Sequence, residues 1–421
     1  MVARKTKSSL LWASLIMLLH ASCGGDVNSL GDSHFTNEGN YISDTTTSLV
    51  MSQPNKVKFY VEVSGSMNGF FRANKPTHFK ADVWQIMGYY SPIAPDVTVL
   101  TNSGNSGTKI SLLNFQTRMN TGGFISQAST KVPVMLETIL SELNSEEGEV
   151  AILVSDMKYS PVGAAAPAVL MTQYSTDISR ILANYNQSVS LVCATSNFLS
   201  SNGTEVCSRS PYYYLILGKD EYVTEVRNNI STLLKDRNHF VDNIDSGINY
   251  GTPQYSFGSS YLCDRLDNEP TFVAYEEHDA SVGDTCTIKL NLDLKNYRWL
   301  LEYEPVLRRA FEVKSLYGSN VKVGKISYDI ETKENKLLKR KAEATIELKV
   351  CNMPLDMDVI EWNLNVPDSE YTLFNEFFEG AVDENDPTKS YSVLEFIQGI
   401  FYGGIINQHG TPNYILISKK G

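Results

Sequence analysis

The sequence is poor in the residues that usually carry catalysis: it has six cysteines and six histidines in 421 residues. No two cysteines stand as Cys-x-x-Cys, which removes the common redox and zinc motifs. No two histidines stand at metal-ligand spacing, and one of the six, His20, falls in the N-terminal leader. There is no Gly-x-Ser-x-Gly elbow, since Val63-Ser64-Gly65-Ser66 lacks the leading glycine, so a serine hydrolase is disfavoured. Gly104-Asn105-Ser106-Gly107-Thr108-Lys109 lacks the P-loop spacing. Basic runs are also missing after the first residues, apart from Lys339-Arg340-Lys341, and the net charge is −12. An acidic surface repels phosphates, so nucleic acid is excluded as a partner.

What is present begins with the N-terminus. Arg4, Lys5 and Lys7 precede a short apolar core, Leu10 to Leu19, too short to span a bilayer as a stable helix and suited to a cleaved export signal. It runs into Leu19-His20-Ala21-Ser22-Cys23-Gly24. These small residues before a cysteine resemble the bacterial lipobox, although His20 stands where an aliphatic residue is usual. The resemblance implies a lipoprotein signal peptide over 1–22, acylation (palmitate) of Cys23 and attachment to a membrane of the cell envelope. Gly24 after the lipid cysteine favours the outer membrane. Cleavage removes three cations and takes the charge from −12 to −15, so attachment rests on lipid chains rather than on anionic headgroups. Export also permits disulfides. Cys193 with Cys207, and Cys263 with Cys286, are near enough to close short loops, leaving Cys351 over.

Residues 23–54 are rich in Gly, Ser, Asn, Asp and Thr without periodicity, and read as a flexible tether. From 55 to 240 strands alternate with helices. Val57–Val63, Asp96–Leu100, Lys109–Asn114, Glu149–Ser155, Val189–Ala194 and Tyr212–Leu217 read as strands. His78–Tyr90, Val132–Leu143, Tyr174–Tyr185 and Glu221–Lys235 read as helices. That alternation predicts an α/β domain with a doubly wound, largely parallel sheet, whose sites form at the carboxyl ends of its strands. Residues 241–270 read as a linker. Beyond it the period changes to two, through Ile288, Leu290, Leu292 and Leu294, then Ala344, Ile346, Leu348 and Val350, then Ile360, Trp362, Leu364 and Val366. Alternation of this kind predicts an antiparallel β-sandwich-like domain over 271–370, followed by a mixed helical tail and final strand over 371–421.

At the end of the first strand stands Glu62-Val63-Ser64-Gly65-Ser66. It resembles the Asp-x-Ser-x-Ser of the metal-ion-dependent adhesion site (MIDAS) in von Willebrand factor A (VWA) domains. That family adds a threonine in a later loop and an aspartate after a later strand. Thr130 lies 68 residues after Glu62, and Asp156 a further 26 on. The resemblance covers roughly residues 55–240 and implies a VWA-like, Rossmann-like domain. A hard cation such as Mg²⁺, with Mn²⁺ or Ca²⁺ as alternatives, takes oxygen ligands. The hydroxyls of Ser64, Ser66 and Thr130, with the carboxylates of Glu62 and Asp156, supply such a set. An acidic side chain of a protein partner would complete the shell, so the implied function is protein binding, not catalysis. Glu62 departs from the family's aspartate: its extra methylene moves the carboxylate by about 1.3–1.5 Å, large against metal–oxygen distances near 2.1 Å. The plainer reading is that Ser64, Ser66 and Thr130 cap helices and Asp156 makes a strand-end turn. Two further functions compete with metal-dependent binding: a metal-free scaffold of an envelope assembly, and a metal-assisted hydrolase of extracellular polymer.

Overall fold

The computed structural model describes residues 52–100, 107–124, 131–159, 167–258, 263–265, 272–277, 285–328, 343–354, 357–366, 375–383, 385–404 and 412–419. The leader, Cys23, the tether before residue 52 and Thr130 lie outside the described residues. In chain order, the α/β part comprises β1 (Lys56–Glu62), α1 (His78–Tyr90), β2 (Asp96–Leu100), β3 (Thr108–Ser111), α2 (Leu112–Thr121) and α3 (Val132–Glu142). It continues with β4 (Glu149–Ser155), α4 (Pro167–Tyr185), β5 (Ser188–Leu199), β6 (Glu205–Gly218), α5 (Asp220–Lys235) and β7 (Phe240–Ser246). These strands form one mixed seven-stranded sheet in the order β3-β2-β1-β4-β6-β5-β7.

Alternate side chains of the central strands are buried on opposite faces. Phe59, Val61, Ile152 and Val154 pack beneath Phe79, Val83 and Ile86 of α1 and Val226 and Ile230 of α5. Tyr60, Ala151 and Leu153 face Leu136 and Ile139 of α3 and Ile178 and Ile181 of α4. Double coverage is why β4 is apolar from Val150 to Val154 rather than alternating. Parallel pairing is confined to the centre, β2-β1-β4. The other four pairings are antiparallel, which corrects the expectation of a largely parallel sheet. The cause is local. β5 and β6 are joined by residues 200–204, and so short a link returns the chain as a hairpin. Lys109–Asn114 also divides differently from the expectation: β3 ends at Ser111, whose hydroxyl accepts from Asn114 N and caps α2.

The stretch 241–270, read from sequence as a linker, carries most of β7 together with β8 (Gln254–Phe257) and β9 (Cys263–Arg265). The remaining elements are β10 (Phe272–Glu277), β11 (Thr285–Asp293), α6 (Glu304–Ala310), β12 (Phe311–Ser315), β13 (Asn320–Tyr328), β14 (Glu343–Cys351), β15 (Met357–Leu364), α7 (Asn375–Phe378), α8 (Val393–Gly403) and β16 (Asn413–Lys419). They build two further sheets, β12-β15-β16-β10-β9 and β13-β14-β11-β8. The period-two residues are their shared core: Ile288, Leu290, Leu292, Ile346, Leu348, Ile360 and Trp362 are all buried. The last strand inserts between β15 and β10, and runs parallel to β10.

Two features tie the parts together. Arg227 of α5 is buried and donates to Asp245 Oδ2 (2.8 Å), the Tyr250 hydroxyl (3.1 Å) and the carbonyl of Asn296 (2.9 Å). The tail helix α8 lies on α4: Gly399 and Gly403 bring the helices so close that an added Cβ at Gly403 would stand 2.1 Å from Ser179 O. Cys193, Cys207 and Cys351 are free, so Cys193 and Cys207 do not pair, whereas Cys286 is disulfide-bonded. In the hairpin register Cys207 stands opposite Phe198, and Cys193 opposite Tyr213. No helix among the described residues is long and apolar enough to cross a membrane.

Candidate functional site

β1 and β4 are parallel neighbours with Val61 opposite Val154, so the residues that follow them emerge side by side at their carboxyl ends. Four of the five residues singled out from the sequence stand here: Glu62, Ser64, Ser66 and Asp156. Ser64 Oγ and Ser66 Oγ are 2.8 Å apart, and the Ser66 hydroxyl also hydrogen-bonds the Asp156 carboxylate. Glu62 is wholly buried and accepts a short hydrogen bond from the Ser155 hydroxyl. Ser64 and Asp156 are buried as well, at 2% and 1% exposure. The fifth residue, Thr130, lies outside the described residues.

The capping explanation of the two serines does not hold. The short 3-10 turn Ser66–Gly69 that follows begins at Gly65 and has no side-chain cap. For Asp156 the turn explanation is correct as far as it goes: Oδ1 accepts from Lys158 N at 3.2 Å, and Met157 between them takes a left-handed φ of 55°. Thr121, the other threonine weighed for the set, bonds Thr117 O within α2 and is exposed.

The electrostatics are those of an under-compensated anionic site. Burial pushes the Asp156 carboxyl up, against the opposing pull of Lys158 and the hydrogen bonds from Ser66 and Lys158 N. Tyr174 from α4 is fully buried beside the cluster, and its hydroxyl has no hydrogen-bond partner among the described residues. Burial first, then the charges of Tyr159, Glu62, Glu395 and Asp156, hold that phenol far above its ordinary value, so it remains a neutral donor. The Tyr174 ring is fixed by stacking on Tyr159, centroids 4.1 Å apart. A buried oxygen without a partner costs about 1–3 kcal/mol, so this hydroxyl needs an explanation.

The tail closes over the same rim. Lys158 Nζ donates to Asp386 O (2.8 Å), Tyr159 N donates to Ser392 Oγ (3.0 Å), and the Tyr213 hydroxyl lies 3.0 Å from Ser390 Oγ. These contacts, with Ser155 and Tyr174, were not foreseen from the sequence. Ser155 could have been: it directly precedes Asp156 at the end of β4, as Glu62 ends the neighbouring β1. The tail contacts carry no local signal, because they depend on α8 docking more than 200 residues away.

As a donor set the cluster offers two carboxylates and two hydroxyls, all oxygen, which suits a hard divalent cation in type. Among the described residues, no group of three or more His, Cys, Asp or Glu is placed to hold a metal. Hydroxyls would therefore supply half of any shell. No family model, no curated protein and no solved structure matches this chain.

Proposed function

We propose that this chain is a lipid-anchored protein of the bacterial cell envelope that binds a protein partner through a VWA-like domain, with Mg²⁺ held at the rim by Glu62, Ser64, Ser66, Thr130 and Asp156. In this reading Cys23 is acylated and holds the chain at the outer membrane. The cation supplies an electrophilic centre for an acidic group of the partner. Ser64 and Ser66 are its neutral ligands, Asp156 and Glu62 balance its charge, and Tyr174 donates to the polar shell around it. The observation that carries the proposal is the convergence of Ser64, Ser66 and Asp156, with the Tyr174 hydroxyl, unpartnered among the described residues, beside them.

Thermal unfolding with Mg²⁺ against chelator tests it. A bound ion stabilises the folded state by mass action, by about 2.7 kcal/mol at a hundredfold excess over Kd, and so raises the midpoint. Ser64→Ala and Asp156→Ala should abolish that shift. No shift in the parent chain at saturating Mg²⁺ would remove the cation from the account.

A second reading, the metal-free scaffold, draws on a specific contact. Ser155 already satisfies Glu62 from within the protein. Under it the same two substitutions leave partner capture unchanged.

A further inference from the structure

Next to the cluster opens a cleft of about 310 Å³, lined among others by Ser64, Asn68, Phe71, Arg72, Lys75 and Asn202. Its charged lining is Arg72 and Lys75, with no carboxylate, in a chain of net charge −12. Neither cation has an ion pair among the described residues, and Arg72 Nε is enclosed without a hydrogen-bond partner. In an acidic protein, cations on a loop ordinarily find acids. Two that do not, facing one concavity, are a site in search of an anion.

The loop that carries them is held in place. Lys80 Nζ, itself buried, donates to the carbonyls of Arg72 (2.6 Å) and Lys75 (3.0 Å), and Asn74 N donates to Asn120 O (2.8 Å). The tip of the β5–β6 hairpin forms the opposite wall. Gly203 sits at φ +82°, and an added Cβ there would meet Lys75 Cε at 2.8 Å. The aliphatic stem of Lys75 therefore lies along the hairpin tip. Preorganisation of this kind lowers the ordering cost of binding.

We infer that this cleft is an anion-binding site that takes a carboxylate of a protein partner directly on Arg72 and Lys75, without a metal. One guanidinium fork and one ammonium match a carboxylate. The lining amides of Asn68 and Asn202 and the Phe71 ring suit the peptide that carries it. A volume near the lower end for ligand sites admits one acidic residue and its neighbours. The inference rests on the proposed reading only in making the ligand a protein; the cleft and its cations stand without the cation cluster.

The test is titration of the full chain with hexaglutamate and, separately, with inorganic phosphate, in chelator so that no divalent cation takes part. The expected result is saturable binding of the peptide that weakens with rising salt. Arg72→Ala and Lys75→Ala should each weaken it about tenfold, one ordinary charge-assisted contact. Arg72→Lys should fall between, having charge but no fork. Lys109→Ala, a surface cation paired with Asp96 elsewhere, should leave it unchanged. Unchanged unfolding midpoints show that the variants are folded. Preferential binding of phosphate overturns the carboxylate assignment, as does binding of neither probe. Peptide binding that needs Mg²⁺ and ignores Arg72→Ala overturns the inference and leaves the cation proposal standing. Binding in chelator with no Mg²⁺ shift in the unfolding midpoint does the reverse.

Discussion

Replacing Tyr174 with phenylalanine removes one oxygen and nothing else. The ring is wholly buried, stacked on Tyr159 at 4.1 Å and flanked by Phe396 at 6.1 Å, so its packing survives. What goes is a hydroxyl with no partner among the described residues. An unsatisfied buried hydroxyl costs about 1–3 kcal/mol, so in chelator Tyr174→Phe should be more stable than the parent by about 1 kcal/mol. For a chain with domains of this size that is about 2–4 °C in the midpoint. In saturating Mg²⁺ the sign should change, because the hydroxyl then donates into the shell of the cation and its loss removes a favourable contact. The assay is calorimetric or dichroic unfolding of both proteins in chelator and in Mg²⁺, read as a cycle of four midpoints. A gain of equal size in both conditions refutes the reasoning, since Tyr174 would then be indifferent to the ion. Absence of a gain in chelator refutes it differently, by showing that the hydroxyl is satisfied in the metal-free chain.

Other consequences concern the frame around the site. Asp242 is buried, and burial, only partly offset by Arg298, lifts its carboxyl to about 6. A folded value above the unfolded one means that the folded state holds the proton longer. The group's stability contribution is complete below about pH 4 and is lost as pH rises through 6, to a total of about 3 kcal/mol. Asp242→Asn should therefore stabilise the chain at pH 7.5 and do nothing at pH 4, measured by denaturant unfolding at both values. Arg227→Met strips Asp245 of its closest cation, 2.8 Å away and fully buried. The expected loss is about 3–5 kcal/mol, read from urea midpoints. Gly403→Ala drives a methyl into Ser179 O and should cost about 1–3 kcal/mol. It should also free the Tyr159 amide, which donates to Ser392 Oγ, read as faster hydrogen exchange.

Much of the α/β frame is legible in the sequence because both faces of its central strands are buried. Glu149–Ser155 has an unbroken apolar run, Val150 to Val154, of strand length, and α1 spans His78–Tyr90 in both readings. The period-two strands are equally plain, since one face of each meets a core. The antiparallel half of the sheet was missed although its signals are present. No helical pattern separates Val189–Ala194 from Tyr212–Leu217, so no parallel crossover is possible. Asn202-Gly203 between them is a strong short hairpin signal. Strand β7 hides in 241–270 because Asp242, Asn243 and Asp245 are polar. They are buried through partners contributed by distant segments, such as Arg227, and no window of local sequence contains those partners. The site divides the same way. Ser64, Ser66 and Asp156 follow strands whose adjacency the α/β pattern implies, so their meeting is readable. Tyr174, Arg72 and the tail contacts depend on packing and burial.

The central claim is that the rim cluster is one cation site, and Mn²⁺ binding followed by electron paramagnetic resonance tests it most directly. The chain, freed of metal by chelation, should remove about one equivalent of Mn²⁺ from the free-ion signal, compete with Mg²⁺, and lose that capacity in Asp156→Ala. Retention of the full Mn²⁺ signal by the parent chain, or equal binding by Asp156→Ala, would contradict it.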